Sequence, residues 1–151
     1  MTFMDTKTKL ENALKDAMRA GDAVGKRTVR MALAAIKQAE IDRQETLDES
    51  AVLALLQKEL KTRRESLEEA HKAVRPDLVA EIEAEIKIVQ GFLPQALSPD
   101  DLKALVEAAI AETGATSPAD MGKVMKALMP RIQGRAPGDQ VSQAVRELLQ
   151  K

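Results

Sequence analysis

The chain has 151 residues, 44% of them hydrophobic and 31% charged, with a formal net charge of -1 that argues against a protein coating nucleic acid non-specifically. It has no cysteine, which excludes disulfides, thiolate zinc sites and cysteine nucleophiles together. Phe3 and Phe92 are its only aromatics, so the core must come from Leu, Ile, Val, Ala and Met, a composition that favours a helical bundle.

Seven amphipathic segments follow one another, and none shows the period-2 alternation of a half-buried strand. The first carries Leu10, Leu14, Ala17 and Met18 on one face and ends at Gly21; the second carries Val29, Ala32, Leu33 and Ile36 and runs through IKQAEIDRQ. Asp48 is the expected N-cap of the third, whose stripe is Val52, Leu53, Leu56, Leu60 and Leu67. Pro76 opens the fourth, with Leu78, Ile82 and Val89, and the segment stops at Gly91-Phe92-Leu93-Pro94. Ser98-Pro99-Asp100-Asp101 then supplies a cap serine, an N1 proline and first-turn acids for the fifth, with Leu102, Leu105, Val106, Ala109 and Ile110. Ser117-Pro118-Ala119-Asp120 repeats that signal ahead of the sixth, whose Met121, Met125, Leu128 and Met129 read as its buried face. The seventh follows Gly138 with Val141, Val145, Leu148 and Leu149. The reading is all-α: an N-terminal four-helix bundle over 1–94 and a C-terminal three-helix bundle over 95–151.

Catalytic signatures are missing. There is no phosphate loop, no G-x-G-x-x-G and no G-x-S-x-G, and the single histidine, His71, limits any triad or histidine-rich metal site. Glu68 and His71 have the E-x-x-H spacing of di-iron bundles, but such sites need the pair twice. We therefore expect no catalytic residue, no metal and no cofactor.

Arg63 falls among Val52, Leu56 and Leu67, and a charge on an apolar stripe needs a partner. Glu59 lies one turn earlier and Glu85 falls on the stripe of the fourth helix, so a partly buried ion pair with either or both is expected, against a ligand-facing arginine as the other reading. Lys61 and Arg64 face away from the stripe, and with Arg75 form a secondary basic face.

Residues 95–114 carry one Lys and four acids, whereas 115–151 carry six Lys or Arg and three acids, so the electrostatic footprint is expected at the C-terminal end. Lys123 and Lys126 share the outer face of the sixth helix, and a turn-rich exit with Gly134 and Gly138 delivers Arg131 and Arg135. Exposed N–H groups around glycines, with cations nearby, suit phosphate oxygens. Scarce aromatics leave recognition of a folded backbone by shape and charge.

RTVRMALAAIKQAEID (27–42), KELKTRRESLEEAHKAVRPDLVAEIEAEIKIVQGFLPQALS (58–98) and DMGKVMKALMPRIQGRAPG (120–138) resemble the YqeY family, free-standing relatives of the tail of the B subunit (GatB) of glutamyl/aspartyl-tRNA amidotransferase. The resemblance implies a four-helix bundle followed by a three-helix bundle, and a role near tRNA, whose body the tail contacts. Gly122, Lys123, Met125, Gly134, Arg135 and Gly138 match its C-terminal motif, while Arg63, Arg64, Arg75, Leu93 and Pro94 match the N-terminal and linker motifs. Val74 stands where a glycine is usual, Lys126 replaces a small residue and Pro137 an acid. A carbon-nitrogen ligase label with glutamine as amido donor belongs to the parent complex, and no residue here carries that chemistry.

The expectation is thus a tRNA-associated module, with an aminoacyl-tRNA synthetase or an amidotransferase subunit as a further partner. The alternatives are a protein-interaction module without RNA binding and an amidotransferase working with a partner glutaminase. No apolar run approaches the roughly 20 residues needed to cross a bilayer, and the start MTFMDTKTKLEN has no apolar signal region, so no membrane association and a cytoplasmic protein are expected.

Overall fold

The computed structural model describes residues 4–150. Among them the secondary structure is entirely helical: α1 (Thr6–Ala20), α2 (Ala23–Arg43), α3 (Glu49–Lys72), α4 (Pro76–Gln90), α5 (Pro99–Thr113), a short 3-10 turn (Pro118–Asp120), α6 (Met121–Ile132) and α7 (Gly138–Leu149). Two compact units divide the chain, the first ending at Leu93 and the second beginning at Pro94.

Helix starts follow from side-chain caps. Asp5, Asp22, Asp48 and Ser98 accept hydrogen bonds from the backbone N–H groups of Thr8, Gly25, Ala51 and Asp101 at 2.8–3.1 Å, each satisfying a donor with no intrahelical partner. At Gly25 a Cβ would stand 2.3 Å from the Asp22 carboxylate, so a larger residue there would displace the capping side chain from its present rotamer.

In the first unit α3 packs on α4, α1 on α2, and α2 also on α4, around Leu10, Ile36, Val52, Leu56, Leu60 and Val89. Each such side chain contributes about 1.5–3 kcal/mol of burial. The Thr6 backbone N–H donates to the Glu49 carboxylate at 3.0 Å and its hydroxyl reaches the same group, which ties the start of α1 to the start of α3. Glu40 holds Lys7 at 3.1 Å and accepts from the Leu47 N–H at 2.9 Å, and these bonds, Leu47 first, hold its carboxyl below the ordinary glutamate range.

Three helix faces differ from the sequence reading, α4 among them, where Leu78, expected on the stripe with Ile82 and Val89, is exposed in the first turn. Met18, expected on the core face of α1, is 53% exposed, because α1 packs on α2 and α3 but leaves its last turn beside an open recess. In α6 the innermost stripe is Val124, Leu128 and Ile132, with Met121, Met125 and Met129 partly buried beside it. Packing on both α5 and α7 selects the i, i+4, i+8 row at the centre and leaves the flexible methionines to fill its flanks.

The α3–α4 corner carries strain. The Arg75 N–H donates to the Ala70 carbonyl and the Val74 N–H to the His71 carbonyl, a left-handed C-terminal cap that puts Val74 at φ 53°. A β-branched residue is disfavoured there by roughly 1–2 kcal/mol. Val74 is 80% exposed, so removing its side chain sacrifices no packing. Val74→Gly is expected to raise stability by about 1 kcal/mol, or about 3 °C in Tm, after the greater chain entropy of glycine is subtracted. Thermal unfolding by circular dichroism checks it; an unchanged or lower Tm would show that the corner is relaxed with valine.

Candidate functional site

The second unit is built on α5, α6 and α7, each packed on the other two, around Val106, Leu128, Ile132, Val141 and Val145. α6 runs to Ile132 with Pro130 inside it, so Arg131 is delivered by the last turn of the helix rather than by the exit. A proline this close to the C-terminus removes only one late hydrogen bond. The chain then reverses through Gln133 (φ 52°) and Gly134 (φ 72°) before α7 begins at Gly138.

The four cations assigned to this region have different surroundings. Lys123 and Lys126 are exposed on α6 and form no salt bridge among the described residues. Lys123 lies near Asp120, whose carboxyl is held below the ordinary aspartate range, chiefly by the Thr116 backbone N–H and to a lesser extent by that lysine. Arg131 is paired with Glu112 of α5, which raises the guanidinium above its ordinary range and neutralises its charge locally. Arg135 is a clamp: its Nε donates to the Gln95 carbonyl at 2.8 Å, while its own carbonyl accepts from the Leu97 N–H at 2.8 Å. Together these bonds fasten the segment leading into α5 against the α6–α7 turn. Gly134 takes part in that turn, and Gly138 is the first residue of α7, where Asp139 already places a negative charge.

In the first unit Arg63 is 7% exposed. Its Nη1 lies 3.0 Å from Glu59 Oε2 and its Nε 3.8 Å from Glu85 Oε2, too long for a hydrogen bond. Glu85 also lies 3.5 Å from Arg27, which is paired with Glu81, so one chain of alternating charge links α2, α3 and α4. Arg64 and Lys61 are exposed on α3, and Arg75 at the start of α4 is exposed and bonded to Asp77 at 3.4 Å. His71 is exposed near the end of α3, and among the described residues no group of three or more His, Cys, Asp or Glu is arranged to hold a metal.

Segment charge counts missed the outer face of α2. Lys26, Arg30 and Lys37 recur there at helical spacing and form no salt bridge among the described residues, because the acids nearby in sequence are engaged elsewhere. The i, i+4, i+11 pattern is the signal that would have found them.

The class these features define is an all-helical protein of two units whose polar chemistry is surface cations, an interhelical ion network and backbone clamps. The chain belongs to the Yqey-like protein family, whose family model matches residues 7–149. Similar curated proteins are named "Altered inheritance of mitochondria protein 41, mitochondrial". That of Lachancea thermotolerans is 41% identical over 62% of this chain and 51% of its own length; that of Pyrenophora tritici-repentis is 31% identical over 93% and 79%; that of Eremothecium gossypii is 36% identical over 76% and 64%. The chain spans about half the length of the first of these relatives.

The relatives' names correct one expectation. These relatives are mitochondrial proteins by name, and the cytoplasmic reading does not stand against them. The lack of an apolar signal region argued against secretion and insertion, but organelle leaders are polar and amphipathic and leave no such mark. Among the described residues no helix is long and apolar enough to cross a membrane.

Proposed function

We propose that this chain is a tRNA-associated helical module of the GatB/YqeY type, a four-helix bundle followed by a three-helix bundle, that engages folded tRNA by charge and shape without catalysis of its own. The observation that supports it best is the exposed Lys123–Lys126 pair on α6, in the segment that resembles the tail of the amidotransferase B subunit; Lys123 matches that pattern and Lys126 adds a second charge where the pattern has a small residue. Arg131 adds charge once a phosphate competes with Glu112, and Arg135 holds the turn that presents them. Partners of the same translation chemistry, an aminoacyl-tRNA synthetase or an amidotransferase subunit, fit this role.

The test is equilibrium binding to unmodified tRNA and to a plain RNA duplex of equal length at several salt concentrations. Wild type is expected to prefer tRNA. Lys123→Ala combined with Lys126→Ala should reduce the slope of log K against log salt by about 2, at about 1 for each phosphate no longer neutralised. No tRNA binding at low salt by folded protein would overturn the proposal. A protein-interaction module is the second reading, favoured by the shallow recess between α5 and α7 formed by Pro99, Leu102, Ala144 and Leu148. It predicts a protein partner whose binding is insensitive to salt.

A further inference from the structure

We infer that α2 of the first unit carries an RNA-binding surface of its own, with Lys26, Arg30 and Lys37 on backbone phosphates and an adjoining recess that takes an unstacked loop nucleotide. This extends the tRNA reading and rests on it, but it uses different residues in a different unit.

The geometry comes from the helix. At about 100° per residue the three cations fall within a sector of about 40°, and at about 1.5 Å per residue they span about 16 Å of the helix axis. Ala23 and Ala34 are exposed on the same face, so little bulk stands between an approaching backbone and the helix. Arg30 and Lys37 are exposed and Lys26 half-buried.

What distinguishes this face from an ordinary solvated one is the fate of its acids. Asp22 is engaged at the N-cap, its Oδ1 2.9 Å from the Gly25 N–H. Glu40 is held by Lys7 and the Leu47 N–H, and Asp42 accepts from Gln38 at 2.9 Å. The carboxylates of α4 go to Arg27, with Glu81 and Glu85 both directed at it. Lys26, Arg30 and Lys37 are left with no salt bridge among the described residues, and three like charges on one face give it a positive potential that attracts phosphate oxygens. By comparison, α6 offers two such lysines.

The recess lies at the N-terminal end of this stripe. Met18 and Met31, each about half-exposed, form an apolar floor, and Lys26 and Arg30, together with Asp22 of the N-cap and Arg27 paired to Glu81 and Glu85, stand around a volume of about 610 Å³. That volume is in the range of small-ligand sites. Thioether side chains are polarizable and adaptable, so they offer a base contact without the edge-specific hydrogen bonds that would demand one sequence. An apolar floor beside the cations Lys26 and Arg30 suits a nucleotide whose base is out of the stack, which loops of folded RNA supply and a regular duplex does not.

The experiment compares wild type, the triple variant Lys26→Ala, Arg30→Ala, Lys37→Ala, and the charge-retaining Lys26→Arg, Lys37→Arg, each on unmodified tRNA and on an equal-length duplex between about 50 and 200 mM salt. Alanine is the best helix former, so the triple variant keeps its helix, and circular dichroism verifies this. The expected result is a salt slope reduced by about 3 and tRNA affinity lowered roughly tenfold or more in the triple variant, with the charge-retaining variant near wild type. Met31→Ala should weaken tRNA binding more than duplex binding, because it removes the apolar floor of the recess without altering the charge of the stripe. Wild type that binds tRNA with a slope unchanged in the triple variant would overturn this inference and leave the α6 reading standing. Wild type that binds no tRNA would overturn both.

Discussion

Replacing Arg63 with alanine is expected to lower the stability of the first unit by about 2–3 kcal/mol, whereas replacing it with methionine should cost much less. The guanidinium is 7% exposed between α3 and α4, with Glu59 at 3.0 Å and Glu85 at 3.8 Å. Alanine removes the cation and the packed stem together, and leaves two carboxylates facing each other across the gap. Those carboxylates keep 26% and 15% of their side-chain surface, so water relieves part of the penalty and the cost stays at the low end for a broken buried pair. Methionine refills the volume without a charge to desolvate. The native pair is imperfect, since Arg63 Nε has no hydrogen bond and Glu85 is shared with Arg27, so little attraction is forfeited. Urea unfolding of the two variants decides the matter. Equal losses would mean that charge compensation, and not stem packing, is what Arg63 contributes.

The Arg27 arm of the network was not legible, but the surroundings of Arg63 were, because an arginine on a Leu and Val stripe must be compensated and the candidates at one turn and on the facing helix are few. Helix starts were legible for a similar reason: Asp48 and Ser98 sit where unpaired N–H groups need an acceptor, and both accept one. What the sequence hid depends on tertiary approach. Nothing in the spacing of Arg131 and Glu112, 19 residues apart, says that α5 brings them together, and nothing marks the carbonyl of Gln95 as the partner of Arg135. The two arginines of the proposed phosphate site were thus partly committed elsewhere. The α2 stripe was hidden by arithmetic. A segment sum counts Asp22, Glu40 and Asp42 against Lys26, Arg30 and Lys37, although the fold engages those acids in a cap, an interhelical bond and a bond to glutamine. Val74 shows the converse, because its positive φ is invisible in composition and evident only from the capping pattern of α3.

Leu128→Ala is expected to unfold the second unit and spare the first. Leu128 is fully buried between Val124 and Ile132 on the inner row of α6, and truncation of such a leucine costs about 3 kcal/mol in reduced burial plus cavity. The unit that bears this loss has only about 58 residues, near the size at which a single core supplies no more than about 3–5 kcal/mol. Its core and that of the first unit share no residue, so the packing of the first unit is untouched. Hydrogen exchange should therefore show amides of α5–α7 approaching unprotected rates while α1–α4 keep theirs. A parallel loss of protection in α1–α4 would mean that the chain unfolds as one cooperative body. The same variant separates the two basic surfaces: it removes the presentation of Lys123 and Lys126 but leaves Lys26, Arg30 and Lys37 on a folded α2. Residual tRNA binding that retains a salt slope of about 3 would then belong to the first unit alone.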